Sequence, residues 1–179
     1  MSDPRTQPQY QIRFDWGYDG AAAITQGAHI LVWVDALVDD APVDPARIAE
    51  PCAIVAGTVG NRDAVAAWVL DRQVELGDRA TVAVVAAGRA GGGFAVEDLL
   101  AAGAIVDALA EVGIDYISPE AAAAVGAFTG LRNATSHVLS ASVSGQELIA
   151  ARGREFVEAA KVQNAGQGLN VVREFSHSA

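Results

Sequence analysis

Residues 80–112 read ATVAVVAAGRAGGGFAVEDLLAAGAIVDALAEV, and this stretch decides the fold. Ala80–Ala86 is a short apolar run rich in β-branched residues, the pattern of a strand buried on both faces. Ala87–Gly93 is a glycine loop. Val96–Val112 repeats apolar residues at helical spacing (Leu99, Leu100, Ile105, Val106, Leu109, Val112), and Gly113 ends the helix.

The same alternation extends upstream. Cys52–Ala56 reads as a strand, Gly57–Asn61 as a turn and Arg62–Leu76 as a helix with Val65, Trp68, Val69 and Arg72 on its inner stripe, stopped by Gly77. His29–Asp35 (HILVWVD) is a further buried strand, after a helical Gly20–Thr25 and an edge strand at Tyr10–Phe14. Downstream, Ser118-Pro119-Glu120 opens a helix with a serine cap and proline at the first helical position. Short helices follow at Ser144–Ala150 and Arg154–Lys161, then a last strand at Gly168–Phe175. Strands and helices alternating at this spacing predict an α/β fold, a mostly parallel sheet flanked by helices. The expected organisation is a disordered lead-in over 1–9 and a single α/β domain over 10–175, interrupted by a loop or linker at 39–51 that holds three of the six prolines.

Composition narrows the function. The 179 residues are 51% hydrophobic, enough for a core in one domain, and carry a formal charge of −10 with 12 basic residues. That balance argues against nucleic acid and anionic membrane partners and leaves a cation as a natural ligand. The polar start, the single cysteine and the lack of a long apolar run predict a cytoplasmic protein.

Ligands of open parallel sheets bind beyond the carboxyl ends of the strands. Three such ends carry chemistry here. Asp35 closes the HILVWVD run, where a carboxylate holds a metal, acts as a base or simply caps. Gly57-Thr58-Val59-Gly60-Asn61-Arg62 leads into a helix whose free N–H groups favour an anion, with Thr58, Asn61 and Arg62 as added donors. The alternative is a tight turn with Asn61 as N-cap. Gly88 and Arg89 of the glycine loop precede Glu97 and Asp98, adjacent acids suited to Mg²⁺. The dipole alone also accounts for acids in a first turn, at about 0.3–1 kcal/mol each. His29, His137 and His177 show no metal spacing, and Cys52 reads as a core residue.

Four blocks together resemble the 2-phosphosulfolactate phosphatase family: IRFDWGYDGAAAI with ILVWVDAL, IVAGTVGNRDAVAAWV, VAVVAAGRAGGGFAVEDLLAAGAIVDAL, and SASVSGQELIAARGREFVEAAKVQNAGQGLNVV. The resemblance implies a Mg²⁺-dependent hydrolase that releases phosphate from 2-phospho-3-sulfolactate or a similar small phosphorylated acid. By position it implies catalytic roles for Asp35 and Asn61. Gly57, Thr58, Gly60, Arg62, Gly88 and Arg89 then bind substrate, and Asp35, Glu97 and Asp98 hold the metal. Two departures stand out: Asp35 is followed by ALVDDAP rather than by Arg, Ser and Thr, and the 39–51 stretch replaces a longer family segment. The alternative reading is therefore a catalytically degenerate member that binds small molecules or assembles. A homo-oligomer, a dimer in the simplest case, is expected.

Overall fold

Three apolar runs, ILVWV, AIVAG and VAVVA, form the centre of the molecule because both of their faces are covered. A computed structural model describes residues 3–37, 43–89 and 93–174. The strands are β1 (Ile12–Trp16), β2 (Ile30–Val34), β3 (Ala53–Gly57), β4 (Val82–Ala86) and β5 (Asn170–Arg173), in the order β1-β4-β2-β3-β5. The first four are mutually parallel, and β5 adds to β3 antiparallel. The sheet is α/β and mostly parallel, as the alternation predicts, with β1 at an edge.

The period of two along each strand sorts side chains to opposite faces. Ile30, Val32 and Val34 join one core with Val65, Val69, Ile105 and Leu109, from α2 (Arg62–Leu76) and α3 (Val96–Glu111). Leu31 and Trp33 join the other, with Ala21 and Ile24 of α1 (Gly17–Ile24) and with Val43 and Ile48 of the segment leading to β3. That segment contains a 3-10 turn at Pro45–Arg47 and lies against the sheet, while residues 38–42 of the expected linker fall outside the described residues.

Helix α3 is buried nearly all round because it packs on the sheet and also on α4 (Pro119–Leu131). Gly103 makes that second contact possible: a Cβ there would lie 2.1 Å from the Ala124 carbonyl oxygen. The capping serine behaves as predicted, Ser118 Oγ accepting the Ala121 N–H at 3.2 Å. Beyond α4 come α5 (Thr135–Ala141), which the sequence pattern did not show, α6 (Val143–Arg152) and α7 (Arg154–Asn164).

Part of the expected disordered lead-in has local structure: Pro4–Thr6 forms a 3-10 turn, Thr6 and Gln7 are buried, and the Gln7 amide bonds both ways with Phe14, donating to its carbonyl at 2.8 Å and accepting its N–H at 3.0 Å. A side-chain amide that satisfies a strand backbone needs no sequence periodicity, which is why the pattern missed it.

Candidate functional site

The registers align the carboxyl ends of the parallel strands: Trp16 and Val34 both pair with Ala86, and Val34 pairs with Gly57. Asp35, Thr58 and Ala87 therefore emerge along one rim. From β2 the chain passes to the face that holds Val43 and Ile48, whereas from β3 it passes into α2 on the opposite face. Neighbouring strands whose connections diverge leave a crevice between them. A cavity of about 120 Å³ lies there, lined by Trp33, Asp35, Gly57, Thr58, Asn61 and, from the C-terminal segment, Gln163, Gly166, Gly168 and Asn170.

The C-terminal wall comes from a close backbone approach. Gly60 donates its N–H to the Asn164 carbonyl at 2.9 Å, and a Cβ on Gly60 would lie 2.4 Å from the Ala165 carbonyl carbon. Gln163 and Asn170 are cleft residues that the sequence reading missed, because only the folded chain brings them to Asp35. Trp33 was also missed, yet it stands two residues before Asp35 on a strand, and the period of two places both on one face.

Burial raises the Asp35 carboxyl to about 6, with the Glu97 charge adding to the rise and the Leu37 N–H opposing it. Asp98 is also raised, first by burial and then by the Asp35 charge. Its carboxylate spans two strand ends: Oδ1 accepts the Ala36 N–H and Oδ2 the Gly88 N–H, each at 2.8 Å. Glu97 is buried beside this pair, and its Oε2 has no hydrogen-bond partner.

The expected site residues make the following contacts. Asn61 donates through Nδ2 to the carbonyls of Ala56 (3.0 Å) and Gly168 (3.2 Å) and accepts the Thr58 N–H at 2.8 Å. With both amide protons engaged, it latches the turn to the C-terminal segment. Its side chain does not cap α2. In the expected anion cradle, the N–H groups of Thr58, Gly60 and Asn61 donate within the protein, and that of Gly88 goes to Asp98. Arg62 pairs with Asp63 and Asp107, and Arg89 with Glu147, and neither lines the cavity. Gly57 and Thr58 do line it.

For the metal, each oxygen of Asp98 already accepts one backbone amide. Among the described residues no group of three or more His, Cys, Asp or Glu side chains is arranged to hold an ion. Asp35 and Glu97 are a fitting pair, one at the cleft and the other with an orphaned buried oxygen. Mg²⁺ commonly takes one or two carboxylates, completing its shell with water and phosphate.

Fold and site together define an α/β protein with a carboxylate-bearing cleft at the strand ends of its sheet. The model of one family, 2-phosphosulpholactate phosphatase, matches residues 45–173, and the chain belongs to that family. The match spans β3 to β5, so Asp35 precedes it. No curated protein matches the chain. No helix among the described residues is long and apolar enough to cross a membrane.

Proposed function

We propose that this chain is a Mg²⁺-dependent phosphomonoester hydrolase acting on a small phosphorylated acid in the β2–β3 cleft. The observation that carries the reading is the buried, unpartnered Glu97 oxygen beside Asp35, in a chain whose family is that of a phosphatase. Asp35 and Glu97 would hold the cation. Bound there, Mg²⁺ supplies charge neutralisation and Lewis acidity to the phosphoryl oxygens.

The chain's own residues do the rest. Through an oxygen not on the cation, the Asp35 carboxylate accepts a proton from the attacking water. The Thr58 hydroxyl and the Gln163 and Asn170 amides offer hydrogen bonds to the ligand. With Arg62 and Arg89 in ion pairs elsewhere, affinity for a phosphate dianion rests on the cation. The working location is the cytoplasm, in keeping with one free, buried cysteine. The working assembly is a homodimer, motivated by exposed Phe94 and Val162, and light scattering would test it.

The test is phosphate release with Mg²⁺ from 2-phospho-3-sulfolactate, phospholactate and an aryl phosphate. Release no greater than that of the Asp35→Ala/Glu97→Ala double variant would end this reading. The second reading, a binding protein without turnover, is favoured by the engagement of the Thr58, Gly60, Asn61 and Gly88 amides within the protein. It predicts thermal stabilisation by the same compounds without phosphate release, about 2.7 kcal/mol at a ligand concentration of 100 Kd.

A further inference from the structure

A second cavity, about 600 Å³ in volume, opens beside the end of β1, and no residue lines both it and the β2–β3 cleft. Three aromatic rings line it in series. The Trp16 ring centroid lies 5.6 Å from that of Phe14, edge-on at 75°, and 5.6 Å from that of Phe94, tilted by 48°. Phe14 is buried, whereas Phe94 is 63% exposed. A concave, mostly apolar cavity of this size with a few polar groups is the usual form of a small-molecule site.

The polar groups decide which charge the cavity accepts. The Gln7 amide is engaged by the Phe14 backbone. Arg5 Nε donates to Asp15 Oδ2 at 2.9 Å, and the charges of Asp19 and Asp3 add to that of Asp15 around the guanidinium. Glu120 remains: its side chain is exposed and has no ion-pair partner among the described residues. Four acids (Asp3, Asp15, Asp19 and Glu120) therefore stand around one base.

We propose that this cavity binds a small organic cation, a protonated amine on a flat apolar body. Aromatic faces attract a cation through their quadrupole, and the free carboxylate of Glu120 supplies the counter-charge. A neutral ring gains the apolar contact alone. An anion meets Glu120 and the aspartates while Arg5 is already paired. The proposal leaves the homodimer to Val162, and it stands apart from the phosphatase reading of the cleft.

2-Phenylethylamine, 2-phenylethanol and phenylacetate each carry a phenyl ring and differ in charge. Calorimetric titration into the full chain at low salt should show the amine binding about ten-fold tighter than the alcohol, with the carboxylate weakest. Glu120→Gln should bring the amine to the level of the alcohol, and Phe94→Ala should weaken both. In ¹⁵N-indole spectra of the unaltered protein, which need no variant, the Trp16 signal should move with the amine while the Trp33 signal of the cleft stays. The proposal is overturned by a carboxylate that binds as tightly as the amine, an amine preference that survives Glu120→Gln, or binding unchanged by Phe94→Ala. A stationary Trp16 signal, or no binding of any of the three, also overturns it. So does a dimer that Phe94→Ala dissociates in light scattering, which would seat a second copy in the cavity. Each of these failures leaves the phosphatase reading standing, because no residue of this cavity serves the cleft.

Discussion

The carboxylate of Asp98 accepts the backbone N–H of Ala36, 62 residues earlier in the chain, at 2.8 Å. Its second oxygen takes the Gly88 N–H, so one side chain fastens the exits of β2 and β4. Asp98→Ala leaves both amides unanswered while relieving a buried charge. The expected net loss is about 2 kcal/mol at pH 8, each orphaned amide costing roughly 1–3 kcal/mol before relaxation. Urea denaturation checks this, and an unchanged midpoint would contradict it.

Asp35 makes stability depend on pH. Its folded pKa, about 6, lies above the ordinary 3.8, so the folded state binds the proton more tightly than the unfolded chain. The stabilisation that protonation gives is full below about pH 4 and is lost as the pH rises through about 6. Asp98 is raised as well and extends the loss in the same direction. In EDTA, Asp35→Asn should match the unaltered protein near pH 4 and exceed it at pH 8 by roughly 1–3 kcal/mol, at about 1.4 kcal/mol per pKa unit. A melting series from about pH 4 to 9 reads this, and a variant less stable at pH 8 would refute it.

Adding Mg²⁺ should raise the melting temperature of the unaltered protein, by the usual linkage of ligand to the folded state. The rise should vanish in Glu97→Gln and persist in Asp98→Asn if the latter folds. Equal responses in the two variants would show that Glu97 is not the ligand.

Gly60 and Gly103 both sit where a Cβ meets backbone, and Gly60 stands between Thr58 and Asn61, which line the cleft. Alanine at either should cost about 1–3 kcal/mol by overpacking. Gly60→Ala should in addition abolish stabilisation by cleft ligands, because it pushes away the segment carrying Gln163 and Asn170. Gly126→Ala in α4 has open space and should gain about 0.5–1 kcal/mol. Calorimetric melting with and without ligand separates the three.

Asn61 discriminates a latch from a catalytic group. Asn61→Asp removes two donors from the Ala56 and Gly168 carbonyls and should cost about 2–4 kcal/mol, counting two unsatisfied partners. A variant of full stability with lost turnover would support the catalytic role.

The strands and major helices were legible because burial on two faces forces continuous apolar runs, as in ILVWV and VAVVA. A helix packed on one side shows its stripe, as Val65, Trp68 and Val69 do. Asp35, Thr58 and Glu97 were legible as candidates because parallel sheets expose their carboxyl ends. Their neighbours were not. Asn61 and Arg62 have the composition of an anion site, yet their hydrogen-bonding groups bind Ala56, Gly168 and Asp107.

The sequence alone determined the α/β class, the order of its main elements and the acidic character of the strand ends, since these follow from local periodicity and residue chemistry. Only the tertiary structure decided which carboxylates keep an oxygen for a ligand. The three acids differ in their partners: Asp98 faces two amides, Asp35 opens on the cleft and Glu97 Oε2 meets none. Those partners come from segments dozens of residues apart, and no spacing along the chain encodes that.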